Sequence, residues 1–342
     1  MNSFRYKSFL FWGMVFLFIE VVLIFLYFNF SDKEMKARDQ LAQIFTARSE
    51  NPAGFPTLKQ NMGGFALSAD SFISVFVSDS GAEKILAEKN KDAQLPIASI
   101  SKLMTALIAG ERYKLDDIVT ITDNSLKVDS LSGIYKAGDR FFFYNALRAM
   151  LIASQNEIAD ALTYPACPSE ATSQRGDPCR EAGQPGGTEF IGLMNKKASE
   201  LGLLNTGFVN TTGLDPVPAD GSINHSTVFD IYKLARYIEE NNSDIFYITA
   251  QKEFDLFDVD KKFIGTIKNT DKLLSEQGVP FIIIGGKTGE TDIAKQNLVI
   301  VAEAPCGGKI FSVVLGSQNR FDDMKKILQY INDSYDWPCP NL

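Results

Sequence analysis

Runs of β-branched and aromatic residues lie at both ends of the body of this 342-residue chain, with helical patterns between them. Residues 72–77 carry Phe72, Ile73, Val75, Phe76 and Val77, and 84–87 carry Ile85 and Leu86. Asp79, Ser80 and Gly81 separate them, which predicts a hairpin. At the far end, 281–284, 297–301 and 310–315 predict three more strands. Met324, Ile327, Leu328 and Ile331 then recur at helical spacing, predicting a closing amphipathic helix. A sheet must therefore draw strands from both ends, with a helical region inserted. The fold class is α+β, and no internal repeat is present.

The N-terminus follows another pattern. Residues 10–30 are apolar except for Gly13, Glu20 and Asn29. About 21 helical residues rise roughly 30 Å, the thickness of a hydrocarbon core. A cleaved signal would have a shorter apolar region ending at small residues, which the stretch from Phe28 to Lys33 does not offer. The expected organisation is a cytoplasmic tail at 1–9, a transmembrane anchor at 10–30, a stalk at 31–61 and a folded domain at 62–342. Arg5 and Lys7 precede the span while Lys33, Lys36 and Arg38 follow it, so charge leaves its orientation open.

The four cysteines, Cys167, Cys179, Cys306 and Cys339, include no C-x-x-C pair of the kind zinc sites use. Two disulfides fit, most simply Cys167–Cys179 and Cys306–Cys339, although four cysteines allow three pairings. Disulfides would place the domain in an oxidising compartment outside the cytoplasm. Residues 163–187 are rich in Pro, Gly and Ser and read as a long stapled or functional loop. A formal net charge of −8 supplies no basic footprint and argues against a nucleic-acid partner.

Three short motifs carry chemistry. Ser99 and Lys102 form Ser-x-x-Lys; a helix starting at Ser99 would put both on one face. A neutral lysine there can take the serine proton if burial or a second cation disfavours its charge. Ser154 and Asn156 form Ser-x-Asn after an apolar helical run, and Lys287, Thr288 and Gly289 form Lys-Thr-Gly after the 281–284 strand. This ordered trio is the signature of penicillin-recognising serine enzymes. The sole histidine, His225, reads as a helix-entry residue, and no Gly-x-Ser-x-Gly elbow accompanies it.

The segment from Ala98 to Leu107 resembles the nucleophile region of low-molecular-weight D-alanyl-D-alanine carboxypeptidases. The resemblance continues through Leu201-Gly202-Leu203, Phe208 to Asn210, Gly213-Leu214-Asp215, His225-Ser226-Thr227 and Gly286 to Thr291. It implies a serine β-lactamase-like fold, an antiparallel sheet flanked by helices beside an all-helical lobe. Thr212 and Gln155 depart from residues common in that family. The chain also ends after the closing helix, without the further β-domain of some members.

The resemblance implies an acyl-enzyme mechanism on peptidoglycan stem peptides, needing no cofactor or metal and open to acylation by β-lactams. Ser99 would attack and Lys102 accept its proton. Ser154 and Lys287 would return a proton to the leaving amine, and Asn156 would hold the substrate amide. Thr288 and Gly289 would receive substrate on the strand edge, and the N–H groups of Ser99 and Glu290 would form the oxyanion hole. The Glu290 carboxylate would also repel a substrate carboxylate by roughly 2–3 kcal/mol at about 6 Å and an effective dielectric near 20. A D,D-endopeptidase would use the same residues. A class A β-lactamase would need a Glu-x-x-Leu-Asn that Glu200, Leu204 and Asn205 miss by one residue, and a noncatalytic sensor would need a signalling region.

Overall fold

The computed structural model describes residues 55–59, 66–128, 133–164, 187–216 and 221–339. The anchor at 10–30 and Cys167 and Cys179 lie outside these, as does all of the 163–187 loop except Thr163, Tyr164 and Gly187. Gly187 already begins a helix. Among the described residues no helix is long and apolar enough to cross a membrane.

Five strands form the main sheet: β1 (Ser71–Val77), β2 (Glu83–Lys89), β3 (Ile283–Thr291), β4 (Lys295–Glu303) and β5 (Lys309–Ser317). Their order is β3-β4-β5-β1-β2, every neighbour antiparallel. The two ends of the chain thus meet where β5 pairs with β1, and β3 is an edge. The 281–284 strand is displaced: the ladder starts at Ile283, shifts register by Gly285 and runs through Lys287, Thr288 and Gly289 to Thr291. Lys287 and the glycines at 285, 286 and 289 have weak strand preference, but pairing with β4 overrides propensity.

Alternation along the strands divides the core into two layers. Phe72, Phe76, Leu298, Ile300, Ile310 and Val314 pack with Met324, Ile327, Leu328 and Ile331 of the closing helix (Arg320–Ser334). Ile73, Val75, Val299, Val301, Phe311 and Val313 face the helical side. The remaining helices are α1 (Lys102–Arg112), α2 (Phe143–Ala153), α3 (Asn156–Ala161), α4 (Gly187–Glu200), α5 (Val228–Asn241) and α6 (Asp244–Thr249), with α7 at Arg320–Ser334. Each large side chain buried by α7 contributes about 1.5–3 kcal/mol, so Leu328→Ala would cost about 2–5 kcal/mol.

Thr57 and Leu58 fall in the predicted stalk, yet they pair with Tyr335 and Asp336, and Phe55 meets Phe76 edge-on at 6.3 Å. The open backbone beyond α7 recruits them, so ordered structure begins before residue 62. Cys306 and Cys339 form a disulfide with Cα atoms 5.0 Å apart, tying the β4–β5 connection to the segment after α7.

Candidate active site

The Ser99–Lys102 pair arises differently from a simple helix start. Ala98–Ser101 form a 3-10 turn and α1 begins only at Lys102. Residues three apart eclipse in a 3-10 turn, which brings the two side chains together. Lys102 Nζ lies 2.9 Å from Ser99 Oγ and donates to Asn156 Oδ1 at 2.7 Å and to the Thr212 carbonyl at 2.5 Å. Ser99 Oγ also donates to that carbonyl at 3.3 Å. Lys102 is fully buried while Ser99 is half-buried. Burial holds the Lys102 amine well below its usual range, the Lys287 charge adds to the effect, and Glu157 opposes it.

A second serine–lysine couple faces the first. Helix α2 stops where Ser154 adopts a left-handed conformation, φ 60° and ψ 34°, unusual for a residue with a side chain. Gln155 is extended, and α3 restarts at Asn156. This break aims Ser154 and Asn156 into one cleft. Lys287 Nζ donates to Ser154 Oγ and to the Thr288 carbonyl, both at 2.9 Å. Burial, then the Arg320 charge, push Lys287 down to about 7, against the opposing effect of Asp271. Thr288 Oγ1 shares a 2.5 Å hydrogen bond with Thr270 Oγ1.

Two glycines permit the close approach of loop, turn and strand. A Cβ on Gly289 would stand 2.8 Å from the Ile97 carbonyl and 3.1 Å from Ser99 N, so β3 lies directly against the nucleophile turn. Gly213 has φ +82°, and its Cβ would fall 2.0 Å from the Ala98 carbonyl. Asn210 Oδ1 accepts from Gly213 N at 2.6 Å, and Asp215 Oδ1 accepts from Thr291 Oγ1 at 2.8 Å. The 210–215 loop is thereby clamped between the turn and the end of β3. Thr212 contributes its carbonyl, so the side-chain departure noted from sequence leaves the contact to Lys102 intact.

The structure brings Ser99, Lys102, Ser154, Asn156, Lys287, Thr288 and Gly289 to one cleft, and Glu290 to its rim. Three participants carry no motif. Arg320 opens α7, donates to the Gly289 carbonyl at 3.0 Å and pairs with Glu290 at 2.9 Å. Thr270 meets Thr288, and Asp271 is buried behind β3. The sequence reading pointed to none of the three; Asn319, which caps α7 by accepting from Asp322 N, is the one local signal that could have placed Arg320 at a helix start. His225 lies on a two-residue strand beside Gly207, its Nδ1 3.0 Å from the Ile223 carbonyl.

The family model described as D-alanyl-D-alanine carboxypeptidase matches residues 58–171 and 182–319. The D-alanyl-D-alanine carboxypeptidase DacC of Escherichia coli is 30% identical over 267 residues, covering 74% of this chain and 59% of that protein. A D-alanyl-D-alanine endopeptidase of Haemophilus influenzae is 30% identical over 260 residues, covering 73% and 75%. The chain spans 59–60% of the length of the first carboxypeptidase relatives it matches. Among solved structures, penicillin-binding protein D2 of Listeria monocytogenes in its cefotaxime-bound form aligns with a TM-score of 0.62 and 26% identity, covering 79% of this chain and all of that one. By its matched residues and its α+β fold, this chain belongs to the D-alanyl-D-alanine carboxypeptidase family.

Proposed function

We propose that this chain is a serine D,D-carboxypeptidase that removes the terminal D-Ala from peptidoglycan stem peptides and is acylated by β-lactams. One observation carries the reading: Ser99 Oγ stands 2.9 Å from a fully buried amine whose hold on a proton is weakened by burial and by a second lysine. Ser99 Oγ attacks the carbonyl carbon between the two D-Ala residues, and its proton passes to Lys102. The developing oxyanion is held by the N–H groups of Ser99 and Glu290, a contribution of about 2.7–4 kcal/mol per donor. The C–N bond then breaks, and the leaving amine takes a proton through Ser154, supplied by Lys287. Asn156 positions the substrate amide, while Lys287, Thr288 and Arg320 face the terminal carboxylate. Water resolves the ester and restores Ser99.

Residues 10–30 serve in this reading as the anchor in a bacterial cytoplasmic membrane, with the catalytic domain outside. The Cys306–Cys339 disulfide supports an oxidising compartment.

The relative named endopeptidase favours a second reading, cleavage of D,D cross-links by the same residues. Release of D-Ala from a pentapeptide, compared with scission of a cross-linked dimer, separates the two. The primary test is incubation of the full-length chain with a labelled penicillin, followed by intact mass and peptide mapping. Label should sit on Ser99, and Ser99→Ala should abolish it while leaving the unfolding transition in place. Label on another residue, or unchanged label in the alanine variant, refutes the assignment.

A further inference from the structure

Thr288 is buried, and among the described residues its hydroxyl makes one hydrogen bond, the 2.5 Å contact with Thr270 Oγ1. Thr270 belongs to no motif, yet its place is set by the backbone around it. Its N–H donates to the Ile152 carbonyl at 3.0 Å, in the last turn of α2 just ahead of Ser154. The neighbouring Asn269 donates from Nδ2 to the Thr249 and Gln251 carbonyls, each at 2.8 Å, and its Oδ1 accepts from Asp271 N at 2.8 Å. Groups other than the Thr270 side chain therefore hold this segment, and they set that side chain between the end of α2 and β3. The hydroxyl joins the strand that carries Lys-Thr-Gly to the helix end that carries Ser154.

Counting protons gives the contact a direction. Each threonine hydroxyl has one proton to donate, and a carboxylate only accepts. Thr288 can hold a substrate carboxylate only by spending its proton on it, and its contact with Thr270 then survives only with Thr270 as the donor. The other acceptor within reach of Thr270 Oγ1, the Ile152 carbonyl, is 3.4 Å away, long for an O–H···O bond, whereas Thr288 Oγ1 is at 2.5 Å. We propose that Thr270 is a positioning residue for Thr288: its hydroxyl donates to Thr288 Oγ1 and turns the Thr288 proton toward the carboxylate that ends the substrate. Hydrogen bonds in a chain polarise one another, so the bond from Thr288 to the carboxylate is strengthened as well as oriented. The proposal rests on the carboxypeptidase reading and deepens it, adding a residue that selects for a free terminal carboxylate.

The test is a double-mutant cycle on the full-length chain: wild type, Thr270→Val, Thr288→Val and the double variant, with Thr270→Ser as the conservative rescue. Thr270→Ala replaces the valine variant if that one fails to fold. Penicillin, whose bicyclic core bears a carboxylate, is the probe, and its acylation of Ser99 is followed by mass spectrometry and resolved into an apparent binding constant and a limiting rate. Thr270→Val should lower the second-order acylation constant about five- to tenfold, mostly through weaker binding, and Thr270→Ser should stay within about twofold of wild type. In the Thr288→Val background, Thr270→Val should cause no further loss, because the hydroxyl it acts through is gone. A merely structural residue would give losses that multiply in the double variant. Wild-type constants for Thr270→Val, or losses that multiply in full, overturn the proposal and leave the activity reading standing. A wild-type chain that penicillin never labels at Ser99 overturns the activity reading, and this proposal with it.

Discussion

Arg320 Nη2 stands 2.9 Å from Glu290 Oε2, so the first residue of α7 neutralises the acid that follows Lys-Thr-Gly. The same guanidinium donates to the Gly289 carbonyl at 3.0 Å, fixing its place at the end of the strand edge. In the proposed reaction, repulsion between Glu290 and a substrate carboxylate would therefore be offset by a cation that is itself mostly buried.

This pairing sets opposite outcomes for two substitutions. Glu290 is about half exposed, so its pair with Arg320 contributes roughly 0.2–1 kcal/mol. Glu290→Gln should raise kcat/KM for a D-Ala-D-Ala peptide by no more than about threefold, and less at high salt. Arg320→Gln removes the cation and leaves Glu290 uncompensated, and should lower it by about tenfold or more. Steady-state kinetics across a salt series decides; a larger gain for Glu290→Gln would mean that the acid still faces the substrate.

Asp271 should cost stability when it ionises. Its folded value of about 6 lies above the usual 3.8, so the stabilising contribution of its protonated form is complete below about 3.8 and lost as pH rises through 6. A shift of this size corresponds to on the order of 2–3 kcal/mol. Asp271→Asn should match wild type in thermal unfolding near pH 4 and exceed it above pH 6.5. A constant Tm difference across that range would show that the carboxyl is not under this strain.

Gly213→Ala should disrupt the nucleophile turn. Its φ of +82° disfavours any side chain, and the new Cβ would fall 2.0 Å from the Ala98 carbonyl. Relief requires the turn or the loop to shift, at a cost of roughly 2–4 kcal/mol. Penicillin acylation of Ser99 should fall at least about a hundredfold, because the Thr212 carbonyl that holds Lys102 moves with the loop. Denaturant unfolding and acylation kinetics measure both effects, and wild-type values in both would contradict the packing.

Alkylation under denaturing, nonreducing conditions should leave Cys306 and Cys339 unmodified. The bond closes a separation of 33 residues. In the chain-entropy treatment such a loop contributes about 3–4 kcal/mol, so Cys306→Ser should lower stability by up to that amount. Thiol adducts at either position in the untreated protein would refute the bond.

Much of this protein was legible in one dimension because its signals are local or strictly ordered. Runs of β-branched and aromatic residues at 72–77 and 310–315 marked the buried strands, spacing from Met324 to Ile331 marked α7, and the motif order picked out Ser99, Lys102, Ser154, Asn156 and Lys287 as candidates. Other decisions belonged to tertiary structure. The length of β3 depends on pairing with β4, since Gly285, Gly286, Lys287 and Gly289 have little preference for a strand. The ordering of Thr57 and Leu58 depends on a partner at the opposite end of the chain. Asp271 and Arg320 look in sequence like solvated charges near a turn and a helix start. Only folding buries the first against Gly286 of β3 and sets the second against Glu290. Periodicity reports which face a residue occupies, whereas the electrostatic environment of a buried group depends on contacts between segments far apart in the chain.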